Sequence, residues 1–166
     1  MSLLDRFRSI DTRRQRALRK AAPGVMHDFL STPSVDGKTS IEDVPIVSLD
    51  LETTGLDPKK DEIVSMGLVE MRHEAIRLNS TWHQLIRLQR DLPGSSVVIH
   101  NITDDQMQTG RPLADVLPEL LRRLKGKVML VHYKGVEQNF LSAACKRLYG
   151  APFVIPTIDT LELGLR

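Results

Sequence analysis

An apolar run that delivers two carboxylates to one face of a strand constrains this 166-residue chain more than any other feature. The run is Ile46-Val47-Ser48-Leu49-Asp50-Leu51-Glu52, and it stops at Thr53-Thr54-Gly55-Leu56-Asp57-Pro58. Its β-branched and leucine residues fit a buried strand. Residues i and i+2 of a strand share a face, so Asp50 and Glu52 stand side by side near the strand's end. Two carboxylates there repel, and burying either is costly without a proton or a cation. A hard divalent ion, Mg²⁺ or Mn²⁺, resolves the conflict because such ions take oxygen ligands. In a plainer reading, one carboxylate faces solvent or caps the following turn. The pair alone does not decide between the two.

The whole string does. An apolar strand followed by Thr-Thr-Gly-Leu-Asp-Pro resembles the first motif of the DEDD (DnaQ-like) 3'–5' exonuclease superfamily. Its members include the proofreading epsilon subunit of bacterial DNA polymerase III, ribonuclease T and oligoribonuclease. The resemblance covers roughly residues 45 to 166. It implies an α/β fold, a ribonuclease H-like mixed sheet with flanking helices. It also implies that Asp50 and Glu52 bind a pair of Mg²⁺ or Mn²⁺ ions, which activate a water and stabilise the leaving 3' oxygen. Thr53, Thr54, Gly55 and Leu56 would lie against the terminal nucleotide.

Two further strings follow in family order. Val97-Val98-Ile99-His100-Asn101-Ile102-Thr103 is similar to the family's Ile-His-x-Ile-Thr string. His100 reads either as a hydrogen-bonded residue that orients this loop or as a substrate contact. Thr103 reads as an N-cap, with Gln106 completing a capping box. Val128 to Leu141 resembles the family's strand, His-Asn, Asp, Phe-Leu pattern, with Tyr133 at the Asn position and Glu137 at the Asp position. The resemblance makes Glu137 the third metal-binding acid, one methylene longer than usual. Sites of this kind tolerate only small misplacements, so the change lowers activity or shifts metal preference. Glu137 also has a plain reading as a solvent-facing helix residue. His132, after an apolar strand, reads as buried and hydrogen-bonded.

Ile158-Asp159-Thr160-Leu161 is similar to the segment that precedes the family's last motif. That motif supplies a general-base His and a fourth acid. None of His27, His73, His83, His100 and His132 stands in its place. The expectation is a metal-dependent 3'–5' exonuclease of the DNA proofreading or repair type, here as a C-terminally incomplete, weakly active or inactive fragment. The alternative is a non-catalytic nucleic-acid- or protein-binding module on the nuclease fold. An unrelated α/β domain would have to match three motifs in order by accident. The expected partners are single-stranded DNA or RNA 3' ends, and nothing recognisable in the sequence reads a 2'-hydroxyl.

Apolar residues make up 41% and charged residues 27% of the chain, as in an ordinary globular protein. No apolar run approaches a membrane span, and the N-terminus lacks a signal-peptide core, so a cytoplasmic setting is expected. The lone Cys145 cannot form an internal disulfide and reads as a small core residue. Charge is uneven. Residues 1–21 hold seven bases against two acids, a net of +5, and residues 22–166 hold 16 bases against 19 acids, a net of −3. Leu3, Leu4, Phe7 and Ile10 give the basic segment helical apolar spacing. It reads either as an arm for phosphates or for a polymerase or other protein partner, or as a helix that packs on the domain with its arginines in solvent. A short helix within 22–30 and a linker over 31–44 complete the extension, residues 1–44, ahead of an exonuclease-like domain at 45–166.

Periodicity predicts strands at 45–51, 61–73 and 75–88, the last two a hairpin turning at His73-Glu74, with Gly67 a candidate bulge. A helix is predicted over 112–125 from Leu113, Val116, Leu117, Leu120, Leu121 and Leu124, with Pro118 predicting a kink or late start. A strand at 128–131 and a helix at 135–148, with Val136, Phe140, Leu141, Ala144 and Leu148 on one face, complete the pattern.

Overall fold

The computed structural model describes residues 3–73, 75–89 and 109–164, with residues 3–9 described as helical backbone only. His100, Thr103 and Gln106 lie outside the described residues.

Strand β1, Ile46–Thr53, is the middle of a five-stranded sheet ordered β3-β2-β1-β4-β5. Strands β2 (Ile63–Arg72) and β3 (Ala75–Leu85) form an antiparallel hairpin, and β2 runs antiparallel to β1. Strands β4 (Val128–Val131) and β5 (Thr157–Asp159) run parallel to β1. This is the expected mixed sheet with flanking helices. In β1, Val47, Leu49, Leu51 and Thr53 are buried, while Ser48, Asp50 and Glu52 project from the other face. The alternation is the period-2 signature of a strand whose two faces meet different environments.

Helices α1 (Leu3–Leu18) and α2 (Val25–Ser31) precede the sheet, and α3 (Leu113–Leu124) and α4 (Gly135–Tyr149) flank β4 in sequence. A short α5 spans Thr160–Gly164. Five residues of α3, Val116, Leu117, Leu120, Leu121 and Leu124, are fully buried, as their spacing predicts. The helix runs through Pro118, which removes a single backbone hydrogen bond and does not end it. Leu148 departs from its expected place: it sits on the last turn of α4 at 37% exposure, while Ala144 and Cys145 one turn earlier are buried. Gly150 then stops α4 in the left-handed region at φ 72°, its N–H bonding to Lys146 O.

The N-terminal helices share the hydrophobic core with the sheet. Ala17, Met26, Phe29 and Leu30 join Val47, Leu120, Leu141 and Phe153 in one cluster, and the Phe29 and Phe153 rings stack 5.5 Å apart. Arg14, one of the arginines expected in solvent or on a partner, is instead 4% exposed. Its guanidinium donates to the carbonyls of Val154 (2.7 Å), Phe29 (2.6 Å), Leu30 (3.2 Å) and Thr32 (2.9 Å). It also lies over the Phe29 ring. Three carbonyls at the C-terminal end of α2 and one in the loop before β5 thus find a donor that no regular element supplies.

Gly67 pairs regularly, opposite Asp50 and His83. The irregularities flank it, at Glu52/Thr53 against β2 and at Leu68/Glu70 against β3. Strand β3 ends at Leu85 and not at 88, because the chain then turns to meet a distant segment. Ile86 bridges Arg111, Arg87 N donates to Arg111 O at 2.9 Å, and Arg111 N donates to Leu85 O at 3.0 Å. Gly110 is required at this clamp: a Cβ there would lie 2.6 Å from Arg87 N and Ile86 C.

Candidate active site

Asp50 and Glu52 occupy the same face of β1, Asp50 exposed and Glu52 half-buried. The residue across from Asp50 on β2 is Gly67, so no β2 side chain crowds that carboxylate. The bulge after Glu52, where Thr53 pairs Ile63 and Val64 is left over, adds twist at the strand end that carries the acids.

Glu137 is the third residue of α4, which packs on β1. It is not solvent-facing: it is 3% exposed, and its Oε2 has no hydrogen-bond partner among the described residues. Burial pushes its pKa up to about 7; the Asp50 and Asp159 carboxylates add to the rise and its own backbone N–H opposes it. An acid in the first turn of a helix ordinarily gains from the helix dipole. Here desolvation wins, and the negative charge of Asp50 adds a smaller rise.

The signal that sequence reasoning missed is Asp159. The end of β5 places it, 6% exposed, against the turn between β4 and α4. It accepts N–H bonds from Tyr133 (3.0 Å), Lys134 (3.0 Å) and Leu161 (3.1 Å). Burial alone would raise its pKa, but these three donors and the Lys134 charge hold it below the usual carboxylate range. The Asp-x-Leu step at the start of α5 could have been read as an N-cap; its second task, holding a distant turn, leaves no local trace. Lys134 also pairs with Glu162 across the same junction.

The segment after the acids is fixed by its own polar contacts. Thr53 Oγ1 donates to Gly55 O at 2.7 Å, and Thr54 exchanges backbone and side-chain bonds with Glu62. Asp61 accepts from Asp57 N at 2.8 Å, and its carboxylate lies where a Gly55 Cβ would sit, 2.5 Å away. A side chain at position 55 would displace the Asp61 carboxylate from its bond to Asp57, and Leu56 is left 80% exposed. His132 is a correction: it is exposed, because β4 ends at Val131, and its Nδ1 lies 2.9 Å from Thr160 Oγ1. Cys145 is fully buried, as expected, with its thiol pushed up to about 12 by burial.

A cavity of about 420 Å³ lies elsewhere, between Ile10, Arg13, the 35–44 segment and β5. Asp159 and Lys134 reach it, but Asp50, Glu52 and Glu137 do not.

Residues 47–165 match the family model RNase_T, described as exonuclease. The chain belongs to the RNase_T exonuclease family. Among curated relatives, this exonuclease domain is 35% identical over 126 residues to DNA polymerase III PolC-type of Thermotoga petrophila, 76% of this chain but 9% of that protein. It is 28% identical over 123 residues to DNA polymerase III subunit epsilon of Treponema pallidum, 74% of this chain and 56% of that protein. The domain therefore spans only part of the relatives it matches. By structure, it superposes on E. coli exonuclease I in its metal-free complex with single-stranded DNA at a TM-score of 0.65 and 12% identity, covering 74% of this chain and 29% of that one. A zinc-bound form of that complex matches equally well. These likenesses identify the exonuclease fold.

The acids of this exonuclease domain suit a divalent cation by one observation in particular. Glu137 Oε2 is a buried acceptor with no protein donor, beside a second carboxylate. Among the described residues no three His, Cys, Asp or Glu side chains enclose an ion by themselves. Asp50 and Glu137, with Glu52 alongside, are the candidates to hold one. No helix among the described residues is long and apolar enough to cross a membrane.

Proposed function

We propose that the chain is a metal-dependent 3'–5' exonuclease domain, of the proofreading or repair type, acting in the cytoplasm on 3' ends of single-stranded DNA or RNA. The observation that carries this reading is the buried carboxylate oxygen of Glu137, without a hydrogen-bond partner among the described residues, on the helix that packs against β1. A structural acid in that position would be satisfied by a donor; a metal-holding acid is satisfied by its ion.

Asp50, Glu52 and Glu137 hold Mg²⁺ or Mn²⁺ in this reading. A bound ion of that kind lowers the pKa of water and neutralises charge on the phosphoryl and leaving oxygens. The chain's own residues do the rest. Thr53, Thr54 and Gly55 form a rigid turn beside the acids, and Leu56 offers an exposed apolar surface to the terminal nucleotide. His100 orients its loop or touches substrate. Residues 1–44 form an extension whose basic helix carries a polymerase or other protein partner, and residues 45–166 form the catalytic-type domain.

The test is incubation of the chain with 5'-labelled single-stranded DNA and RNA in Mn²⁺, beside an Asp50→Ala control. Stepwise shortening from the 3' end that disappears in the control is the expected result. Tight binding without shortening in Mg²⁺ or Mn²⁺ would instead favour the non-catalytic module.

A further inference from the structure

We infer that Tyr133 is the stacking surface for the terminal base of the bound nucleic acid, at the carboxyl ends of β1 and β4. The inference deepens the proposed function and rests on it.

Four observations carry it. First, Tyr133 is a large aromatic left 56% exposed in a chain with only seven aromatic residues. Burial of a tyrosine ring is normally among the larger gains of folding, so its exposure here forgoes stability. Second, Tyr133 takes φ 67°, a left-handed conformation that L-residues with a Cβ rarely adopt. Such outliers persist where surrounding contacts over-determine them, and they cluster at functional sites. The over-determining contact is Asp159, whose two oxygens hold the N–H groups of Tyr133 and Lys134 at 3.0 Å each. Third, the ring is aimed. It lies back over Gly135, where an added Cβ would come within 3.2 Å of ring carbon Cζ. The absence of a side chain at Gly135 therefore lets the ring take this orientation.

Fourth, the place is right. Strands β1 and β4 are parallel neighbours, paired through Ser48 and Leu130. Asp50 stands two residues beyond that rung on β1, and Tyr133 three residues beyond it on β4. Leu56, 80% exposed, follows the same end of β1. Ligands of open α/β sheets bind beyond the carboxyl ends of the strands. An aromatic face is sequence-tolerant because every base has a π-face, which suits an enzyme that must accept any 3' end.

The experiment uses the full chain and an oligonucleotide ending in 3'-terminal 2-aminopurine, whose fluorescence is quenched by stacking, titrated in Ca²⁺ with the oligonucleotide length checked afterwards. The wild-type chain and Tyr133→Phe should quench the probe alike. Tyr133→Leu should lose the quenching and weaken binding roughly 5- to 100-fold, the usual worth of one base–aromatic stack. Gly135→Ala should weaken binding with no fall in thermal midpoint, since alanine suits a helix and only the ring must move. An abasic 3' end should bind wild type as weakly as the intact end binds Tyr133→Leu. Equal affinity and quenching for wild type and Tyr133→Leu, with wild type binding well, would overturn the inference and leave the exonuclease reading standing. Failure of wild type to bind any 3' end would overturn that reading, and this inference with it.

Discussion

The carboxylate of Asp159, at the end of the edge strand β5, accepts the backbone N–H of Tyr133, at the end of β4, at 3.0 Å. Through this bond the edge of the sheet dictates where α4 begins, and α4 in turn carries Glu137 to the face of β1. Asp159→Asn retains one good acceptor oxygen for three donors. It should destabilise the fold by about 1 kcal/mol, because a part-buried N–H of Tyr133 or Lys134 loses its charged acceptor. Activity should fall further than occupancy of the folded state explains, since Glu137 is displaced. Urea melts beside kcat measurements would separate the two effects.

Glu137 makes stability depend on pH. Its folded-state pKa, about 7, lies above the ordinary value near 4.5. Between these values the folded protein keeps a proton that the unfolded chain has lost. The stabilisation is therefore full below about pH 4.5, declines as pH rises toward 7, and is gone above it, by about 3 kcal/mol at most. Glu137→Gln should flatten this part of the profile and melt higher than wild type at pH 8, while losing nuclease activity. Thermal midpoints at half-unit intervals from pH 5 to 8, in chelator, check it. A wild-type profile that rises between pH 5 and 7 would contradict the burial argument.

Millimolar Mn²⁺ should raise the thermal midpoint, because an ion that binds only the folded site stabilises it by mass action. The rise should be larger at pH 8 than at pH 6, where the ion must displace the Glu137 proton. In Asp50→Asn the rise should shrink or vanish. Identical melts with Mn²⁺ and with chelator at pH 8 would remove the metal site from consideration.

Arg14→Ala should cost about 3 kcal/mol or more, since it strips the donor from four carbonyls, three of which it meets in the buried interior. Arg14→Lys should recover little of this, because an ammonium cannot span them as a planar fork does. Arg16→Ala, on the exposed side of the same helix, should stay within about 0.5 kcal/mol. Denaturant midpoints for the three variants give the comparison.

What was legible in the sequence was local. Alternation around Asp50 and Glu52 gave a strand with its acids on one face, and the 3.6-residue spacing from Leu113 to Leu124 gave a buried helix. The Glu137 site was readable through its resemblance to a family pattern and not through periodicity. What escaped was non-local or marginal. Arg14 looks like its neighbours in an arginine-rich stretch, and only its tertiary carbonyl partners, Val154 140 residues away among them, distinguish it. Asp159 carries its second role to a turn 25 residues earlier. His132 was expected inside because an apolar strand precedes it, but the strand ends at Val131, as predicted, and the residue after it lies outside. Pro118 is tolerated because α3 is buried along its length, and packing outweighs one lost hydrogen bond.

The clamp at Ile86, Arg87, Gly110 and Arg111 constrains how this domain can change over generations. Arg111 is held at the end of β3 through both its N–H and its carbonyl, and α3 starts two residues later. Any side chain at 110 would press on the backbone of Ile86 and Arg87 at 2.6 Å and push the entry of α3 away from the hairpin. Position 110 is therefore closed to drift, whereas the exposed positions Ala114 and Asp115 in the first turn of α3 are open to it.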